Sequence, residues 1–87
     1  MFFVYILYSK VKDKYYVGQT DNLETRLVSH NSGTSPYTSI ASDWEIVYFE
    51  QYATRTETRK RENAIKRKKS RKYIESLLSA SSRLGSG

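Results

Sequence analysis

At 87 residues the chain can form one domain with a small core, since a domain of this size buries only roughly 60 to 65% of its unfolded surface. A net charge of +6 and a pI near 9.7 point to a polyanionic partner. The absence of cysteine and the single histidine exclude disulfide staples, thiolate zinc sites and histidine-rich metal cages.

Phe3 to Tyr8 and Lys14 to Gly18 are short β-prone runs around the polar segment Lys10 to Asp13, which predicts a hairpin. Residues facing each other in a hairpin have numbers of constant sum. A sum of 21 sets Tyr5 opposite Tyr16, and 23 sets Tyr5 opposite Gly18 with Tyr16 on the same face. An even sum would separate the two tyrosines. Asp21 and Glu24 form a capping-box pattern and Gly33 a C-terminal stop, so a helix is expected from about Asn22 to Asn31. Ser32 to Ser42 reads as a loop. Trp44 to Tyr52 has apolar residues on both alternations, the pattern of a central strand covered on both faces. Thr54 and Glu57 open a charged helix running to about Lys68. Ser70 caps a last helix with Tyr73, Ile74, Leu77 and Leu78 on its apolar side. The expected architecture is one α+β domain over residues 1–78, ordered β-β-α-β-α-α, with a flexible Ser/Gly-rich tail at 79–87.

Ten of the fifteen basic residues lie between Arg55 and Lys72, among them Arg59, Lys66, Lys68 and Lys69. Nucleic acid is the expected partner, because neutralising several phosphates releases counterions and supplies affinity without sequence reading. The stretch has too few apolar residues to insert into a membrane face. The apolar run Phe2 to Tyr8 is too short to span one and carries no signal-peptide flanks. A cysteine-free chain suits a reducing compartment, and a cytoplasmic protein is expected.

Arg26 and His30 stand four apart, on one face of the first predicted helix at the rim of its apolar stripe. An arginine there can snorkel, and a histidine there can be a packing residue; both can equally serve a phosphate. Tyrosine ionises near pH 10, so a tyrosine acting as base needs a cation or hydrogen-bond partner to lower its pKa. Arg26, a bound metal ion or a neighbouring basic residue can act on Tyr16 in this way, and the Arg26 fork can hold two phosphate oxygens. Gly18 suits a close backbone approach or a tight turn. Glu62 is embedded in the basic run with Lys66 one turn on. It can form a helix ion pair worth about 0.3 to 0.5 kcal/mol, or serve as a single carboxylate ligand for Mg²⁺.

Phe3-Val4-Tyr5, Tyr16-Val17-Gly18, Arg26, His30 and Glu62, in that order, closely resemble the motifs of the GIY-YIG nuclease superfamily over roughly Phe2 to Lys72. Val4-Tyr5-Ile6-Leu7, Asn22-Leu23 to Arg26 and His30-Asn31-Ser32-Gly33 look most like its small stand-alone bacterial members. The resemblance implies a three-stranded antiparallel sheet with flanking helices, and cleavage of a phosphodiester with one divalent ion, Mg²⁺ or Mn²⁺. By position it implies Tyr16 as general base and Tyr5 as its support. Arg26 would stabilise the phosphoryl charge and His30 sit near the nucleophile, with Gly18 as the motif glycine and Glu62 as the metal ligand. Phe3 stands where the first triplet usually has glycine, and Gln19 where repair members often carry lysine. The expected function is a DNA endonuclease, structure-selective or partner-guided, linked to DNA repair or processing. The alternative is a non-catalytic module binding DNA or RNA on the same scaffold.

Overall fold

The computed structural model describes residues 1–85. Strand β1 (Phe2–Ser9) turns into β2 (Lys14–Thr20), followed by helix α1 (Leu23–Asn31), strand β3 (Glu45–Tyr52) and helices α2 (Arg55–Lys68) and α3 (Arg71–Gly85). The three strands form one antiparallel sheet in the order β2-β1-β3. This is the α+β architecture expected from the sequence.

The hairpin register is the odd sum of 23: Tyr5 pairs with Gly18 and Leu7 with Tyr16. Both tyrosines therefore face the same side, because side chains alternate along a strand. Asp13 closes the turn at φ 52°, a left-handed conformation that aspartate tolerates better than most residues.

The central strand is β1, not β3. Val4, Tyr5, Ile6 and Leu7 are all buried, whereas β3 lies at an edge. The apolar residues on both alternations of β3 have a different cause. A register shift between Ile6 and Leu7 turns Val47 and Tyr48 together toward the α2–α3 side, while Ile46 packs on the α1 side. Phe49 stays half exposed, edge-on to Phe3 at 5.9 Å.

Each face of the sheet has its own core. Val4, Ile6 and Val17 pack with Ile65 and the apolar stripe of α3, Tyr73, Ile74, Leu77 and Leu78. Tyr5, Leu7 and Trp44 pack with Tyr16, Leu23 and Leu27 on the other side. Polar ties fix the helices. Glu50 of β3 accepts from Arg61 Nε at 2.8 Å and Nη2 at 3.0 Å, and from the Tyr48 and Tyr52 hydroxyls. Burial works against this carboxylate, but those donors outweigh it and hold its pKa below the usual range. The clamp fixes α2 at the residue beside Glu62.

Helix α1 is capped by Asn22, not Asp21. Thr20 Oγ1 accepts from the Asn22 backbone N–H, and the Asn22 side chain then accepts from Thr25 N at 3.0 Å. At the other end Gly33, at φ 81°, donates to His30 O while Thr34 donates to Ser29 O, the paired bonds of a Schellman stop. Thr54 caps α2 by accepting from Glu57 N, and Ser70 Oγ accepts from Tyr73 N at the start of α3. Where a flexible tail is expected from Ser79, the backbone continues in α3 to Gly85. Serine is a middling helix former and alanine the best, so a helix already nucleated propagates through them. Residues 86–87 of that expected tail lie outside the described residues.

Candidate active site

The α1 face of the sheet gathers Tyr5, Tyr16, Arg26 and His30. Tyr5 is fully buried, and its hydroxyl lies 2.8 Å from His30 Nε2 and accepts from Arg26 Nε at 3.3 Å. The Tyr16 ring lies 4.9 Å from the imidazole and 6.4 Å from the Tyr5 ring, centroid to centroid. Tyr5 and His30 are contributed by β1 and the last turn of α1, so the i,i+4 spacing of Arg26 and His30 brings both onto one phenol.

The structure departs from the expected rim position in one respect. Arg26 is partly exposed, but His30 is fully buried. Its Nδ1 lies 2.6 Å from Thr38 Oγ1, and the Thr38 carbonyl accepts from Trp44 Nε1 at 2.8 Å. Asn31 secures the same loop, accepting from Trp44 N at 2.7 Å and donating to Trp44 O at 3.0 Å. Thr38, Asn31 and Trp44 were not legible as site supports. They lie in and around a segment without periodicity, and only folding sets them against the imidazole.

Gly18 faces Tyr5 directly across the hairpin. A β-carbon there would lie 2.5 Å from the Tyr5 hydroxyl oxygen and 2.7 Å from Cζ. The glycine is required by the close approach of the phenol, not by its backbone conformation.

Burial pushes the Tyr5 pKa up to about 12, against the hydrogen bond from Arg26, so Tyr5 is a neutral phenol at ordinary pH. Arg26 is pushed further up by its bond to Tyr5, and Tyr16 adds to that rise by charge and hydrogen bonding. One guanidinium thus serves both phenols. Burial first, and Arg26 second, push His30 down to about 4, leaving a neutral imidazole. An unfolded histidine takes up a proton near pH 6.5, so stability carried by neutral His30 is complete above that pH and lost as pH falls toward 4. Unfolding free energy is expected to drop by about 2 kcal/mol between pH 7 and pH 5, measured by denaturant titration, with this loss absent in His30→Gln. A flat profile in the wild type would contradict the burial of a neutral imidazole.

Helix α2 supplies the carboxylate. The Glu62 side chain is 13% exposed, and its Oε2 accepts from Lys66 Nζ at 2.7 Å. Lys66 Nζ also lies 5.9 Å from the centre of the Tyr16 ring, and the Glu62 charge is near enough to contribute to raising the Tyr5 pKa. The ion-pair reading of Glu62 is therefore realised, and the pair stands beside the tyrosines. Glu62 Oε1 has no hydrogen-bond partner among the described residues, where no three His, Cys, Asp or Glu side chains converge as a metal cage. One open carboxylate oxygen suits Mg²⁺, which keeps most of its waters and takes phosphate oxygens as ligands.

Gln19 points away from this cluster and accepts from Thr58 Oγ1. Lys66 of α2 brings a cation to Tyr16 instead. Arg59, Lys68 and Lys69 are exposed along α2 and at its end, outside the cluster, with Lys68 Nζ 5.4 Å from the Tyr73 ring centre. Arg59 shares a surface hollow with Gln19, Arg55 and Thr56.

Residues 1–74 match the family model of the GIY-YIG catalytic domain. Similar proteins include a UPF0213 protein of Clostridium perfringens, 42% identical over 69 residues that cover 77% of this chain and 72% of that protein. A UPF0213 protein of Staphylococcus saprophyticus is 39% identical over 64 residues, covering 71% and 78% of the two chains. One from Staphylococcus epidermidis is 41% identical over 66 residues, covering 74% and 78%. No solved structure matches. With the two motif tyrosines on one sheet face and the family model matched across nearly all of the folded domain, the chain belongs to the GIY-YIG nuclease superfamily.

Proposed function

We propose that this protein is a DNA endonuclease that hydrolyses phosphodiester bonds with one Mg²⁺ or Mn²⁺ ion. The observation that supports it most is the convergence of Tyr16, Arg26 and the Glu62–Lys66 pair around the buried Tyr5–His30 unit. Tyr16 takes the proton of the attacking water, helped by the positive charges of Arg26 and Lys66. Arg26 directs its remaining N–H groups to the non-bridging phosphate oxygens, where charge accumulates. Glu62 Oε1 would hold the ion, which when bound supplies Lewis-acid stabilisation at the phosphoryl group and leaving oxygen. Tyr5 and His30 keep the site rigid and dry beneath the phosphate.

DNA is taken as the substrate over RNA, and a site on so small a domain reads backbone shape, or is guided by a protein partner, in DNA repair or processing. No helix among the described residues is long and apolar enough to cross a membrane. Arg55 and Arg59, one turn apart beside Gln19, extend the positive surface along α2 from Glu62, and Lys68 and Lys69 continue it at the other end. If these residues contact phosphates, neutralising Arg55 and Arg59 together is expected to reduce the slope of log K against log salt by about 2. Filter binding across a salt series measures this, and an unchanged slope would take the two arginines out of the contact surface.

The second reading is a binding module without turnover, favoured by the hold that Lys66 has on one of the two Glu62 oxygens. Branched, nicked and single-stranded DNA, incubated with Mg²⁺ or Mn²⁺ and with chelator, separates the two. Cleavage that requires the ion supports the endonuclease. Salt-sensitive binding with a blank cleavage panel supports the module.

A further inference from the structure

The sheet face that carries Tyr5 and Tyr16 continues beyond them. Side chains of directly paired residues share a face, so Phe49, the partner of Tyr5 on β3, stands on the same side. Phe3, two residues before Tyr5, stands there too, at the position where the first triplet of the family usually has glycine. The cover over this face stops between these residues: Tyr5 is 1% exposed and Phe49 51%. Tyr5 itself leaves Phe49 open, because its hydroxyl leans the other way, over Gly18 of β2. Phe3 is half-buried and meets Phe49 at 5.9 Å, with 71° between the rings, so the two aromatics brace each other. A lone exposed phenylalanine on an edge strand would need no explanation. Two in contact beside a phosphate site invite one. Neighbouring strands lie about 4.8 Å apart, and on that scale a nucleotide or two separates a phosphate at Arg26 from a base on Phe49.

We propose that Phe49, braced by Phe3, is a stacking platform for an unpaired base of the bound nucleic acid. Base–aromatic stacking is indifferent to sequence, since every base has a π-face, and it suits a domain with no room for a sequence-reading element. In a duplex both faces of a base are covered by its neighbours, so the platform selects strands with an unpaired nucleotide near the reacting phosphate. Charge agrees with this occupant. Glu50, next in sequence to Phe49, turns to the opposite face and is held there by Arg61, and Gln51 opposite Phe3 is exposed and uncharged. A second copy of the chain would instead bring together two molecules of charge +6. The identity of the neighbouring phosphate as the one cleaved rests on the endonuclease reading; the stacking does not.

Binding can be read without cleavage, in chelator, by fluorescence anisotropy of a labelled oligo-dT strand and of a blunt duplex. Phe49→Ala is expected to weaken strand binding about tenfold, the scale of one lost base–aromatic stack. The slope of log K against log salt should stay the same, because no phosphate contact is lost. Phe49→Trp should restore wild-type affinity, whereas Phe49→Leu, apolar but without a ring, should not. The duplex should bind all four proteins alike. Wild-type affinity of Phe49→Ala for the strand overturns the proposal, as does an equal loss for strand and duplex. So does a wild-type dimer in sedimentation that Phe49→Ala disperses, which would give the face to a second copy. The expected stacking pattern with a blank cleavage panel upholds the platform and counts against the endonuclease reading. Metal-dependent cleavage with strand binding unchanged in Phe49→Ala does the reverse.

Discussion

Tyr16→Phe and Glu62→Gln are each expected to slow DNA cleavage about a thousandfold or more, with little change in thermal stability. General acid–base groups contribute typically 10² to 10⁴ in rate, and loss of the single carboxylate removes the only protein ligand proposed for the ion. Both substitutions are mild for the fold. Phenylalanine keeps the ring that packs 4.9 Å from His30 and 6.4 Å from Tyr5. Glutamine keeps the size of Glu62 and gives up one partly exposed ion pair with Lys66, worth at most about 1 kcal/mol. Single-turnover cleavage of a labelled branched duplex, paired with thermal melts, checks both statements. A double variant that cuts at the wild-type rate would remove Tyr16 and Glu62 from the mechanism. Restoration of Glu62→Gln cleavage by high Mn²⁺ would support a weakened ion site over a lost structural contact.

Gly18→Ala is expected to be as damaging to activity as many losses of a reacting group, although glycine takes no part in chemistry. The added β-carbon would lie 2.5 Å from the Tyr5 hydroxyl oxygen, 2.7 Å from its Cζ and 3.0 Å from Tyr16 Cε2. An exposed tyrosine would swing aside. Tyr5 is 1% exposed and its hydroxyl is tied to His30 and Arg26, so the clash is relieved only by moving the site. Overpacking of this kind costs about 1 to 3 kcal/mol in stability. Displacing reacting groups by about 1 Å can lower rates a hundredfold. We expect a melting point lowered by several degrees and cleavage reduced about a hundredfold, with Gly18→Ala in a Tyr5→Phe background less destabilising than in the wild type. Additive losses in that double variant would show that the clash does not reside in the contact with the hydroxyl oxygen.

The two substitutions probe different parts of one site, and the sequence revealed them unequally. The positions of the strands and helices followed from patterns that act over a few residues: β-prone runs about a polar turn, threonine three before glutamate, glycine after a basic turn. The hairpin sum was open between odd and even values, and only the register of the folded sheet fixes it at 23. The i,i+4 relation of Glu62 and Lys66 was local, and the pair forms as spacing suggested. Non-local choices were not legible. Apolar alternation on both sides of β3 suggested a central strand, yet a bulge and an edge position produce the same pattern. The rim placement of His30 came from one helix taken alone, and the loop carrying Thr38 covers it completely.

By itself, then, the sequence determined the element order, the basic character of α2 and the resemblance to a nuclease family, because each is written in residue identity or short spacing. Only the tertiary structure decided that β1 is central, that His30 is sealed from water by Thr38, that Gly18 is needed beneath the Tyr5 ring, and that Lys66 brings to Tyr16 the positive charge Gln19 does not supply. Those facts depend on distances between residues remote in the chain. Burial and close approach arise only when the two faces of the sheet are covered, and they are what turn a pattern of tyrosines into a site.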